Sequence, residues 1–204
     1  MSDVLDHETS RAERATHYEL TLQRILSLID GEEDWVSAMA TVACELHHSF
    51  AYFHWTGFYR HVAWEELAVG PYQGGHGCLR IPFSRGVCGA AARTRTTQLV
   101  DDVHAFEDHI ACSSTTLSEV VVPILVGDQV LAVLDVDSDL PAVFHDTDRR
   151  YLERLAGILG ERFAHVPIPK PPPIAEAMAA PRKTKAKLKA ITPSDRPGGG
   201  DAQE

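Results

Sequence analysis

Two β-branched runs, 119–126 and 129–137, flank the dipeptide Gly127-Asp128. Strands joined by so short a Gly-Asp link pair side by side and antiparallel. That hairpin narrows the fold more than any other feature of the chain. Elsewhere the apolar spacing is helical. From about Arg11, Tyr18, Leu22, Ile25, Leu26 and Ile29 recur on one face, and Gly31 follows as a stop signal. Asp34 suits the N-cap of a second helix whose apolar face is Val36, Met39, Ala40, Ala43 and Phe50, with Cys44 packed beside it. A closing helix beginning near 146–148 puts Leu152, Leu155, Ala156, Leu159 and Phe163 in one stripe. Between these, 52–60, 66–69 and 79–83 read as strands, and 86–94, small and Ala-rich, as a short helix. The order predicts an α+β domain: a central antiparallel sheet with N- and C-terminal helices packed on it.

The expected domain spans 11–166, after a flexible N-terminus at 1–10. Residues 167–204 contain eight of the twelve prolines, a K-T-K-A-K-L-K run and a closing P-G-G-G-D, and read as a disordered Pro/Lys-rich tail. The formal net charge is −10, and the tail carries seven Lys/Arg against four Asp/Glu. The rest of the chain is therefore strongly acidic, which argues against nucleic acid as a partner. The tail's basic run has a second reading, a weak electrostatic tether to an acidic surface. No apolar run is long enough to span a bilayer, and the acidic start M-S-D-V-L-D-H-E lacks a secretory apolar core, so a cytoplasmic location is expected. In a reducing compartment, cysteines are more often buried, catalytic or metal-bound than structural disulfides.

Cys78, Cys88 and Cys112 stand among glycines and histidines, a context suited to thiol chemistry. Zinc is a weak reading, because no C-x-x-C pair or common ligand spacing is present. A hydrolase elbow G-x-S-x-G is absent, and the glycines at 74–77 are not a dinucleotide fingerprint. His104 and His109, in the loop leading to Cys112, either hydrogen-bond locally or lend charge to a thiol. Asp135 and Asp137 share one face of the second hairpin strand with Leu131 and Val133, while Val130, Ala132, Leu134 and Val136 share the other. The two acids either meet water at the strand end or rim a pocket. Glu119 poses a parity problem. A two-residue turn pairs 126 with 129 and sets 119 opposite 136, facing away from both aspartates. A three-residue loop or a bulge near Pro123 brings the three acids together.

W-T-G-F-Y at 55–59, G-P-Y-Q-G at 70–74, C-L-R-I-P-F-S-R-G-V-C-G at 78–89, D-V-H-A-F-x-x-H-I-A-C at 102–112, S-E-V-V-V-P at 118–123 and V-L-D-V-D-S at 133–138 together resemble the free methionine-(R)-sulfoxide reductases, small GAF-domain enzymes. The resemblance covers about 18–163. It implies a single GAF domain that reduces free L-methionine (R)-sulfoxide through a Cys sulfenic acid and an intramolecular disulfide. It assigns attack on the sulfoxide to Cys112, resolution to Cys78 and disulfide exchange to Cys88. It places Trp55 and Tyr59 in the aromatic wall of the pocket and Glu119, Asp135 and Asp137 among its acids. No resident cofactor or metal is implied; thioredoxin is the expected reductant, and a homodimer through the terminal helices is compatible with the layout. Ser113, the segment S-T-T-L at 114–117 and Glu107-Asp108 depart from the family pattern around the nucleophile. Sulfoxide reduction needs a protonated acid near neutral pH, which clustered carboxylates supply; the residues leave open which of the three it is. The competing expectation is a non-catalytic GAF module that binds a small ligand or senses redox state, since one fold serves many functions.

Overall fold

The computed structural model describes residues 4–173. Helix α1 (Arg11–Leu28) is opened by a capping box: Ser10 Oγ accepts from the Glu13 N–H, and the Ser10 N–H donates to Glu13 Oε2 at 3.1 Å. Helix α2 (Trp35–Ser49) begins where the Ser37 N–H donates to Asp34 Oδ1 at 2.8 Å, the expected cap. Strands β1 (Trp55–Ala63), β2 (Glu66–Gln73) and β3 (Arg80–Pro82) follow, then helix α3 (Gly86–Thr94) and strand β4 (Gln98–Val100). A single 3-10 turn, Val103–Ala105, leads to β5 (Ser118–Val126), β6 (Gln129–Ser138) and helix α4 (Asp146–Arg162). The six strands form one antiparallel sheet in the order β3-β2-β1-β6-β5-β4. The α+β expectation holds. Strand β4 had no sequence signal, being only three residues long.

One sheet face is covered by α1, α2 and α4. Tyr18, Leu22, Met39, Leu46, Leu152 and Leu155 are buried there against Phe58, Val120 and Leu134. The other face is covered by α3 and the loops at 74–79 and 106–117, over Trp55, Tyr59, Val121 and Val133. Helix α2 buries Ala38, Met39, Val42, Ala43 and Leu46. Val36 and Ala40, expected inside, are exposed: they lie about 90° and 130° around the helix from that face's centre. Helix α4 lies so close to β5 that a Cβ on Gly160 would sit 2.2 Å from the Leu125 carbonyl oxygen. Only glycine fits there. Within the stretch read as a flexible N-terminus, Leu5 forms an isolated parallel bridge with Phe50, its N–H donating to Ser49 O at 2.9 Å. The tail reading lies outside the described residues from 174 onward.

A buried ion pair ties the helical layer together. Arg14 of α1 donates to Asp148 Oδ2 at 2.6 Å, and neither residue is more than 1% exposed. Tyr18 and Tyr52 hydroxyls donate to Asp148 Oδ1 at 2.9 and 2.8 Å, and the His145 N–H donates to Oδ2 at 2.8 Å. Arg14 also donates to the carbonyls of Val143 and His7. Burial and the Asp148 charge raise both tyrosine pKa values, so the two phenols stay donors.

Candidate active site

The β5–β6 hairpin solves the parity problem with a bulge. Val126 pairs with Gln129 and Leu125 with Val130, but Ile124 pairs with Ala132, leaving Leu131 as the extra residue. The irregularity lies near Pro123, as expected, between Ile124 and Leu125, with the extra residue on β6. Past it, Glu119 faces Asp137 and Val121 faces Asp135. The bulge also reverses the expected sidedness of two residues: Leu131 joins the helical-side core and Val130 joins the α3 side. On the next strand Trp55 pairs with Asp137, Gly57 with Asp135 and Tyr59 with Val133. Side chains at matched positions share a face, so one patch of sheet gathers Trp55, Tyr59, Glu119, Asp135 and Asp137.

Gly57 makes room for the aromatic wall. A Cβ there would lie 2.7 Å from the Trp55 ring and 2.3 Å from Tyr72 Cβ. With that space open, Trp55 stacks on Tyr59 and Tyr72 at centroid distances of 5.7 and 5.2 Å. Trp55 Nε1 donates to Gly75 O at 3.2 Å and so holds the 74–79 loop over the sheet. The opposing loop is held by the Gly86 N–H donating to Asp108 O at 3.0 Å, with Ile110 against Gly86. Cys78 and Cys112 meet between these loops as a disulfide, with Cα atoms 5.1 Å apart. Beneath it lies a narrow cleft of about 30 Å³, room for one or two waters, lined by Trp55, Tyr59, Cys88, Cys112 and the three acids.

The electrostatics of the cleft are set by burial. Cys88, in the first turn of α3, is a free thiol that donates to Asp135 Oδ2 at 3.2 Å. Burial first, then Asp135 and Glu119, pushes its pKa well up. Glu119 and Asp137 are likewise raised by burial and by the Asp135 charge. Asp135 is raised from 3.8 to about 7 by burial, tempered by hydrogen bonds with Cys88 and Glu119. Its Oδ1 has no donor unless a neighbouring carboxyl carries a proton. These acids are therefore inside a pocket and share protons near neutral pH; they do not simply meet water at a strand end.

A testable consequence concerns stability. A folded-state pKa above the unfolded value means the native state binds the proton more tightly. Stability from Asp135 is thus complete below about pH 4 and is lost as pH rises towards 7. Asp135→Asn removes the ionisation. It is expected to raise unfolding free energy at pH 8 by about 2–4 kcal/mol and to change it little at pH 4, since a tenfold difference in proton affinity between the folded and unfolded states is worth about 1.4 kcal/mol. Urea unfolding at the two pH values checks this; equal effects at both would contradict the raised pKa.

His109 lines the cleft beside Cys112, and burial followed by His104 lowers its pKa. His104 itself is exposed, and its backbone N–H donates to Asp102 Oδ1 in the local turn. His76 also lines the cleft, a residue without sequence signal beyond its glycine neighbours. Cys44, expected to be packed, is half-buried on α2, with its sulfur 3.8 Å from His48 Nδ1. With Cys78 and Cys112 bonded to each other, neither offers a thiolate to a metal. No described helix is long and apolar enough to cross a membrane.

Comparison with known proteins bears directly on this cleft. The GAF domain family matches residues 30–163. A protein of Escherichia coli (strain K12) named free methionine-R-sulfoxide reductase is 38% identical over 133 residues, 65% of this chain and 80% of that protein. The chain belongs to the free methionine-R-sulfoxide reductase family of GAF-domain proteins. Structures agree. The free methionine-R-sulfoxide reductase of Neisseria meningitidis, solved in complex with its substrate, superposes with a TM-score of 0.71 at 42% identity, covering 80% of this chain and 96% of that one. A putative GAF sensor protein from Burkholderia vietnamiensis gives 0.69 at 41% identity, over 76% and 96%. The GAF fold thus carries both a named reductase and a named sensor at similar likeness, and the chemistry of the cleft has to separate them.

Proposed function

We propose that this protein reduces free methionine (R)-sulfoxide to methionine. The observation that carries the reading is the Cys78–Cys112 disulfide at the mouth of a cleft lined by Trp55, by the buried acids Glu119 and Asp135 and by the half-buried Asp137. In the reduced enzyme, Cys112 attacks the sulfoxide sulfur as a thiolate while one acid protonates the departing oxygen. The oxygen passes to Cys112 as a sulfenic acid, and the thioether, methionine, leaves. Cys78 then condenses with the sulfenic acid, forming the disulfide and one water. An external dithiol, thioredoxin in this reading, restores both thiols and is itself oxidised.

The acids suit two tasks. Glu119, Asp135 and Asp137 hold protons near neutral pH because burial and mutual repulsion raise their pKa values. The substrate's ammonium, once among them, favours ionisation of one or two and leaves a proton for the sulfoxide oxygen. Trp55 packs the methyl group and keeps water out. Cys88 stays a buried thiol bonded to Asp135, a place that supports tuning of that acid as well as exchange with the other thiols. The disulfide has to be reduced before turnover, because Cys112 offers no thiolate while bonded to Cys78. A ligand-sensing reading accounts for a cleft but not for two cysteines bonded at its mouth.

Consumption of NADPH coupled through thioredoxin reductase and thioredoxin tests the reading. Turnover is expected with the free (R)-sulfoxide and at least about tenfold less with the (S)-isomer, the preference that membership of the family implies. No turnover with either isomer, with thioredoxin or with dithiothreitol, would overturn it.

A further inference from the structure

The buried face that carries the acids also holds a donor set for a metal ion. Ligand atoms of Cys88, Glu119 and Asp135 all lie within 4.8 Å of one another, and each residue is at most 6% exposed. Within the trio, Cys88 Sγ and Asp135 Oδ2 are 3.2 Å apart. Asp135 Oδ1 is buried with no donor other than a proton held on a neighbouring carboxyl, so loss of that proton leaves a carboxylate oxygen open to a cation. Among the described residues, no lysine or arginine lines this cleft; His76 and His109 are its basic side chains. Three acids and a thiol therefore sit together with no fixed positive charge among them, a costly arrangement unless protons or a cation occupy it.

We propose that Cys88, Glu119 and Asp135 form a binding site for a thiophilic divalent cation, zinc(II) or cadmium(II), that competes with substrate. One thiolate with two carboxylates is a borderline-soft donor set. Magnesium and calcium take six or more oxygens and gain nothing from sulfur. Tetrahedral zinc with bonds of about 2.0–2.3 Å places its donors roughly 3.3–3.8 Å apart, so the trio needs to contract by no more than about 1.5 Å. Asp137, two residues along the same face of β6, or a water from the cleft completes the fourth position. Binding releases the Cys88 thiol proton and the protons held by Glu119 and Asp135 as the metal enters, and it leaves every oxidation state unchanged. Cys78 and Cys112 are not needed, so the site persists while they are disulfide-bonded. The inhibition rests on the reductase reading, because the ion occupies the acids that reading gives to the substrate's ammonium; the binding itself does not.

Cadmium titration of the full-length, disulfide-bonded protein tests the site through the thiolate-to-cadmium charge-transfer band. One equivalent is expected, with a band present in wild type and in Cys44→Ser, and lost in Cys88→Ser. Glu119→Gln and Asp135→Asn are each expected to weaken binding more than about tenfold; they keep the test sharp should Cys88→Ser unfold. With reduced enzyme, zinc is expected to raise KM for the sulfoxide at unchanged kcat, reversed by a chelator. A band that survives Cys88→Ser and vanishes in Cys44→Ser would move the ion to Cys44 and His48 on α2 and overturn the proposal. So would unchanged affinity in both carboxyl variants. Full reductase activity with no cadmium band would overturn the ion site alone, whereas a band with no reductase activity would overturn the reductase reading alone.

Discussion

Cys112→Ser is expected to abolish methionine formation, by more than about 10³-fold even in a single turnover, while Cys78→Ser is expected to release about one methionine per chain and then stall. The asymmetry follows from electron flow. A serine hydroxyl at 112 is far less nucleophilic than a thiolate and cannot take up the oxygen as a sulfenic acid, so the sulfoxide is never reduced. A serine at 78 leaves the first step intact but removes the sulfur that condenses with it. Rapid-quench measurement of methionine separates the two, with steady-state turnover on thioredoxin as the second readout. The two cysteines already occupy one covalent link, so neither variant has to reposition a loop to show its effect. Equal first-turnover yields from both variants would reject the assignment of roles.

Asp148→Ala is expected to cost about 3–5 kcal/mol of stability. The substitution leaves Arg14 buried with its charge uncompensated and removes the acceptor of Tyr18 and Tyr52. For a domain of this size, that lowers the melting temperature by about 10 °C or more. Replacing both members of the pair, Arg14→Met with Asp148→Leu, is expected to recover the part of the loss due to the unpaired Arg14 charge but not the part due to the Tyr18 and Tyr52 hydroxyls, which stay without their acceptor. Thermal and urea unfolding of the singles and the double complete the cycle. A single-variant cost under about 1 kcal/mol would show that the network does not hold α1 to α4.

The fold was legible because period and caps agreed at its largest elements. The stripe of α4, the apolar face of α1 and the cap of α2 all have strong local signals, and the structure places them close to the expected positions. The site was legible in its thiols and acids, but strand alternation by itself did not bring the acids together; that required the bulge expected near Pro123. Alternation alone turns Glu119 away from Asp137, and only the extra residue at Leu131 restores the match. Nothing in a run of β-branched residues marks which one will bulge. The Asp148 network was hidden for a different reason. An arginine in a first helical turn and an aspartate in another are ordinary surface residues by composition, and their meeting 134 positions apart is a property of packing. His76 and β4 carry no periodic signal at all; tertiary contacts alone define them.

The central claim is that free methionine (R)-sulfoxide oxidises the pair 78/112 through the cleft beside Asp135. Fully reduced protein mixed with one equivalent of that sulfoxide, without any reductant, followed by peptide mapping of the disulfides, measures this directly. The account predicts one methionine formed per Cys78–Cys112 link, with Cys44 and Cys88 still free thiols. Unchanged sulfoxide with all four thiols intact, or methionine formed while Cys112 remains unoxidised, would contradict it.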